Sequence, residues 1–392
     1  MRLIRAVLAL LLLVVGVGRI DDAPARIDDR QLGQLLQHFD EAALWHDATT
    51  LVPPRKWRTR PRLQIVGTPG EGLERMTLDV LEHAAQLAGL AIERAGPGEA
   101  TLVVRFEDAA TYVVNGRAAG CYAMTRWNQR GEIVHAELVV NYAVRPMLRQ
   151  CIVHETMHAF GFPGHPHGFD SVLSYVFRRE NPTALDETAY RVLYDPRLRA
   201  NGGHLATLIQ ARQVIAERIG AVAPGVSAES LAASHLEQAA RDLRRAAESG
   251  QAYAQRQLGI ALANGQAMAR DPAAALAWWR KAAAQGDLES SHLLGEALLG
   301  GEGIVADVVA AFAHHQRAAA GGHGPAMARV AQALEFGRGV AADRGAAAAL
   351  YILAVEHGQL DIAGARDRLL AQLEPAERSV AERNARDWRP TR

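Results

Sequence analysis

The chain has little that would tie it to a charged polymer or a bilayer. Its 392 residues carry 43 basic and 43 acidic side chains, so the formal net charge is zero. That balance removes the electrostatic case for nucleic acid. Cysteine is nearly absent, with only Cys121 and Cys151. Glycine and proline are scattered rather than gathered in low-complexity tracts, so most of the chain is expected to fold. One long apolar run exists, Ala6 to Val17, and it is too short for a comfortable membrane span. Arg2 and Arg5 precede it and Ala23-Pro24-Ala25 follows it, so residues 1–25 read as an export signal. Arg19, Asp21 and Asp22 make the exit from the run unusually charged, which leaves an uncleaved N-terminal anchor as the alternative. The expected location is outside the cytoplasm, periplasmic or extracellular. A membrane partner enters only if the first segment stays attached.

In an exported chain, two cysteines are expected to form one disulfide. Cys151 stands three residues before a histidine pair, so its rival role is metal ligand.

Length favours two domains. Residues 26–60 read as an N-terminal arm ending in a proline-containing basic stretch. Residues 61–215 read as mixed α/β. Strands are expected at Leu63–Val66, Leu90–Glu93, Thr101–Phe106, Cys121–Trp127 and Ile133–Val140, with a helix over Leu73–Ala88 stopping at Gly89. A second helix is expected to start near Pro146 and end near Gly161, and a third to run from Thr183 to Tyr194, where Thr183 and Asp186 have capping-box spacing. Residues 216–229 read as a linker.

The second helix carries the chemistry. His154-Glu155-Thr156-Met157-His158 places two imidazoles four residues apart on one helical face. Both can reach one divalent ion, with Glu155 beside it as a base for water. Alone the pattern is weak, since two solvated helix histidines would look the same. Context strengthens it. Gly161 allows a sharp turn after the helix, and His165 then becomes the favoured third ligand, ahead of His167 and Asp170.

This stretch resembles the metzincin clan of zinc peptidases, whose pattern is H-E-x-x-H-x-x-G-x-x-H followed by a Met-turn. His154, Glu155, His158 and Gly161 match. The family's third histidine falls on Gly164 here, and His165 comes one residue late. Ser171 to Tyr175 resembles the Met-turn segment with Leu173 in the methionine position, and residues 186–196 resemble the final helix of a matrixin-like domain. The sequence from Gly161 to Pro166 also resembles a group of bacterial exported proteins with a zincin-like core. The resemblance implies an α+β zincin-like catalytic domain that binds Zn2+ through His154, His158 and His165 and hydrolyses a peptide or protein substrate. It also implies Glu155 as general base. Tyr175 is either an oxyanion donor or a core tyrosine. Three neutral imidazoles leave zinc its positive charge and an open position for water.

Beyond residue 230 the chain repeats every 36 residues. Gly250, Gly286, Gly322 and Gly358 keep this interval, as do Asp271, Asp307 and Asp343. Small alanines let two helices per unit pack closely, and each unit needs a neighbour to cover its apolar face. Residues 230–358 resemble Sel-1-like repeats, relatives of the tetratricopeptide family, and 359–392 read as a capping helix. The all-α solenoid is expected to bind a protein partner. Trp278 and Trp279 are expected in the repeat core. His314 and His315 are adjacent, diverge by about 100° on a helix and do not converge on one ion. The rival to a peptidase is a non-catalytic scaffold in which the solenoid carries the function and the first domain is structural or ligand-binding.

Overall fold

The computed structural model describes residues 29–46, 49–108, 113–114, 117–118, 121–128, 130–142, 148–166, 169–174, 179–200, 202–219, 233–301 and 305–391. The chain forms two compact units, Met1–Arg241 and Asp242–Arg392. Residues 1–25, with the expected export signal, lie outside the described part. No helix among the described residues is long and apolar enough to cross a membrane.

The first unit begins with α1 (Asp29–Ala43) and a short antiparallel pair, β1 (Trp45–His46) and β2 (Thr50–Leu51). There follow β3 (Arg62–Val66), α2 (Glu71–Leu87), β4 (Glu93–Arg94), β5 (Leu102–Glu107), a small ribbon of β6 (Val113–Val114) and β7 (Arg117–Ala118), then β8 (Cys121–Trp127) and β9 (Ile133–Asn141). The main sheet has the order β4-β3-β5-β9-β8. Its first four strands are parallel, and β8 runs antiparallel to β9 along the edge. Alternation explains β5: Leu102, Val104 and Phe106 are buried while their neighbours are not. Helix α3 (Leu148–Ala159) packs on β8 and β9, and α2 packs against α3. Ile152, Val153 and Met157 of α3 and Val80, Leu81 and Ala84 of α2 are buried in this layer.

Helix α4 (Ala184–Leu193) starts where its capping box predicts. Thr183 accepts from the Asp186 amide and the Asp186 carboxylate accepts from the Thr183 amide. Helix α5 is His204–Ile219 and α6 is Ala233–Glu248.

The expected N-terminal arm is instead part of the fold. Leu32, Leu36 and Phe39 recur at helical spacing along α1 and are fully buried, and α1 packs on α4 and α5. Burying three such side chains is worth on the order of 5–9 kcal/mol, ample reason for the segment to dock. Two boundaries also shift. Residues 216–219 are the last turn of α5 rather than linker, and the fourth strand is only Glu93–Arg94, paired with Arg62 and Leu63.

The second unit continues as antiparallel helix pairs: α7 (Ala252–Asn264) with α8 (Pro272–Ala284), α9 (Leu288–Gly300) with α10 (Val308–Ala320), and α11 (Gly324–Phe336) with α12 (Arg344–Glu356). The 36-residue aspartates cap the second helix of each pair. Asp271, Asp307 and Asp343 accept from the amides of Ala274, Ala310 and Ala346. Trp279 is buried over Gly259, as expected of repeat core, while Trp278 is partly exposed beneath Lys281. The expected single capping helix is a 3-10 turn (Leu360–Ile362) followed by two helices, α13 (Ala363–Gln372) and α14 (Pro375–Asp387). Pro375 cannot continue α13 and suits the first turn of α14. Leu369, Ala381 and Ala385 from these helices close the apolar cluster around Tyr351 and Leu353.

Candidate metal centre

Three ring nitrogens converge at the end of α3. His154 Nε2 lies 3.1 Å from His158 Nε2 and 3.2 Å from His165 Nε2. The ring centroids are 4.8, 5.1 and 4.9 Å apart pairwise. The opposite nitrogens are turned away toward the backbone. His154 Nδ1 meets the Val172 carbonyl at 2.9 Å, and His158 Nδ1 meets the Phe162 carbonyl at 2.5 Å. A carbonyl accepts, so each Nδ1 carries the proton and each Nε2 presents a lone pair. Lone pairs aimed at one point repel unless a cation lies between them. Burial pushes the pKa of His154 down, and burial followed by the charges of His154 and His165 pushes that of His158 far down, so protonation does not supply the cation. Ligands on a tetrahedral zinc with bonds of about 2.0–2.1 Å stand about 3.3–3.4 Å apart. The observed separations fit with little movement.

The turn that returns His165 is built by close backbone packing. Gly161 has φ of +100°, and a Cβ there would lie 2.1 Å from the Arg55 carbonyl oxygen. Trp57 Nε1 donates to the Ala159 carbonyl at 3.0 Å and the Tyr194 hydroxyl to the Phe160 carbonyl at 2.9 Å. These bonds satisfy carbonyls that the end of α3 leaves open. Gly164 then presses its backbone onto α1 and β1. Its amide donates to the Ala42 carbonyl, and a Cβ would lie 1.8 Å from the Glu41 carbonyl oxygen. Position 164 is thus held by the one residue that fits, and His165 follows it.

The floor of the site is pinned by Asp186, a residue the sequence marked only as a helix cap. Its buried carboxylate accepts from the Ser171 hydroxyl at 2.5 Å, the Val172 amide at 3.1 Å and both donors of Thr183 at 2.8 Å. His38 of α1 lies 3.5 Å away. Burial pushes the Asp186 pKa up, but His38 and these donors outweigh it and hold the carboxyl below its ordinary value. The Thr183–Asp186 spacing was visible in the sequence; the reach back to Ser171 and Val172 was not.

A cleft of about 300 Å³ opens beside the triad, lined by His158, His165, Arg55 and three residues of the edge strand, Ala123, Thr125 and Trp127. The Arg55 guanidinium sits 3.3 Å over the Trp127 ring. Burial raises the Glu155 pKa to about 8, partly offset by a hydrogen bond from the backbone at Ala123. His154, His158 and His165 therefore meet at one place, and the buried Glu155 bonds to the backbone of Ala123, a residue of the cleft wall. Asp170 does not join them; it pairs with Arg179 at 2.5 Å on the surface. Cys151 is no ligand either, because it forms a disulfide with Cys121 that joins α3 to β8. Tyr175 and His167 lie outside the described residues. Leu173 is fully buried.

Comparison with known proteins divides the chain the same way. Residues 34–204 match a family described as Protein of unknown function (DUF2927). That span begins inside α1 and ends at the first residue of α5. Residues 252–287, 288–323 and 324–359 match Sel1 repeats. The second unit is a Sel1-repeat solenoid. Solved structures similar to the chain include a Sel1 repeat protein from Oxalobacter formigenes, with 26% identity, covering 38% of this chain and 64% of that one at a TM-score of 0.33. Another is a protective antigen of uropathogenic Escherichia coli displaying an SLR fold, with 20% identity, covering 53% and 49% at a TM-score of 0.27. The chain spans less than two thirds of either. No curated protein matches it.

Proposed function

We propose that the first unit is a metal-dependent peptidase with a zincin-like core, that it acts outside the cytoplasm, and that the Sel1 repeats engage a protein partner or substrate. The observation that carries this reading is the convergence of three Nε2 atoms, two of them turned inward as lone pairs by Nδ1 bonds to carbonyls, at the end of the helix that also carries the buried carboxyl of Glu155. The set of neutral imidazoles suits a divalent ion of the zinc class. Such an ion would supply Lewis acidity and make water a nucleophile at neutral pH.

The protein's own groups do the rest. Glu155 takes the proton of the attacking water and delivers it to the departing amine. A nearby cation favours the ionised carboxylate, opposing the burial that raises its pKa to about 8. Exposed edge strand β8 lines the cleft and offers backbone groups to an extended chain. The phenol of Tyr175 is assigned to the oxyanion. Retention of Glu155 between the two helix histidines in sequence favours an enzyme over a scaffold, since a structural ion has no use for a base.

The test is direct. Full-length protein loaded with Zn2+ is expected to cleave unfolded casein, to stop with chelator and to recover with zinc. Glu155→Gln is expected to keep its ion and lose at least 100-fold in rate. An ion-loaded wild-type chain that cleaves nothing would return the unit to a scaffold role, and full activity in the variant would remove Glu155 as base.

A further inference from the structure

We propose a second site for a divalent transition cation of the zinc class, inside the solenoid, formed by His292, Glu296 and His315. The first two stand four residues apart on α9, so they share a face. The third comes from the facing helix α10. Ligand atoms of the three all lie within 4.8 Å of one another. His292 Nδ1 is 3.2 Å from His315 Nδ1, and His315 Nε2 is 3.2 Å from Glu296 Oε1.

The repeat register marks these residues as a departure from solenoid packing. The position of His315 is held by Trp279 one unit earlier and Tyr351 one unit later. His292 corresponds to Arg256 and Ala328, and Glu296 to Ile260 and Gln332. Only the middle unit carries all three. Its core position thus exchanges a large aromatic ring for an imidazole. That ring lies directly over Gly295, where a Cβ would come within 2.5–2.7 Å of three of its atoms.

The imidazole is poorly served by its surroundings without a cation. His315 is 3% exposed, and its Nε2 makes no hydrogen bond, since Glu296 lies close but off the required direction. Burying such a nitrogen without a partner is unfavourable, and a metal ion is one partner that the adjacent imidazole and carboxylate can share. Arg329 holds the Glu296 carboxylate from the far side with two bonds, 2.8 and 2.7 Å, which orients it as outer partners of metal ligands do. His323 is committed elsewhere. Its Nε2 donates to Glu289 at 2.8 Å and its Nδ1 accepts from the Ala326 amide.

Two imidazoles and a carboxylate are a common set for zinc, with further positions left for water. This site does not depend on the peptidase reading. The experiment counts Zn2+ bound per full-length chain after dialysis, by elemental analysis. The wild type is expected to hold two ions. His292→Ala and Glu296→Gln are each expected to hold one, and His154→Ala is also expected to hold one. On the His154→Ala background, Zn2+ is expected to raise the melting temperature, and adding Glu296→Gln is expected to abolish that rise. Glu296→Gln is isosteric and half-exposed, so it keeps the fold where a change at His315 would not. Unchanged zinc content in both the His292 and Glu296 variants, or no ion retained by His154→Ala, overturns the proposal.

Discussion

The carbonyl of Val172 receives a hydrogen bond from His154 Nδ1 at 2.9 Å, while the amide of the same residue is held by Asp186 at 3.1 Å. Through this one residue a buried carboxylate on α4 fixes the tautomer and aim of a ring on α3. Asp186→Ala removes the anchor. We expect zinc affinity at the triad to fall 10–100-fold, as measured by competition with a chromophoric chelator. Unchanged affinity would mean that Val172 is positioned by packing alone.

Placing a histidine at residue 164 is expected to harm the site. A Cβ at Gly164 meets the carbonyl oxygens of Glu41 and Trp45 at 1.8 and 2.6 Å, both backbone atoms that cannot swing aside. Gly164→His should therefore cost roughly 3–5 kcal/mol of stability and the bound ion with it. A variant that keeps its melting temperature and binds zinc through the new ring would refute the assignment of His165.

The disulfide closes a loop of 30 residues between β8 and α3. Chain-entropy reasoning assigns such a loop roughly 3–4 kcal/mol. Cys121→Ser with Cys151→Ser should lower the melting temperature by several degrees and loosen the edge strand against the active helix. Denaturant midpoints of the oxidised and double-variant proteins give the difference directly.

Acid should weaken the first unit through Asp40. Its carboxylate is buried and bonded to His204 at 2.8 Å, His235 at 3.2 Å and Trp45 Nε1 at 3.0 Å. Burial pushes its pKa up, but the charges of the two histidines and their hydrogen bonds outweigh this and hold it well below the carboxylate range. A depressed folded-state pKa means stabilisation that is complete above the unfolded value of about 3.9 and is lost as pH falls below it. Wild type should exceed Asp40→Asn in stability at pH 6–7, and the gap should begin to narrow below about pH 4 and go on shrinking as pH falls toward the depressed folded-state value. A gap that stays constant as pH falls from 6 to 2 would mean that the carboxylate's charge is not what matters.

Local patterns made the converging histidines legible. Helical spacing brought out His154 and His158, the turn at Gly161 brought out His165, and a 36-residue interval brought out the solenoid. What holds those rings was hidden because it is assembled from distant parts of the chain. His38 reaches Asp186 across 148 residues, and the Gly164 backbone rests on α1. Short-range periodicity carries no information about such pairs. The amphipathic spacing of Leu32, Leu36 and Phe39 was readable in principle, but its partners on α4 and α5 were not, so α1 was taken for an arm. The histidine cluster of the middle repeat was missed for a related reason. His315 was weighed only against its neighbour His314, whereas its companions lie on the preceding helix.

The seating of Gly164 against α1 also sets an order of events. Helix α1 emerges first from the ribosome, yet the faces that bury it belong to α4 and α5, more than 140 residues later. Until those helices exist, α1, the seat of the loop that presents His165, is not itself held in place. A chain in which α1 is not yet docked thus lacks the backbone seat of Gly164, and the convergence of the three imidazoles waits for distant parts of this unit to meet.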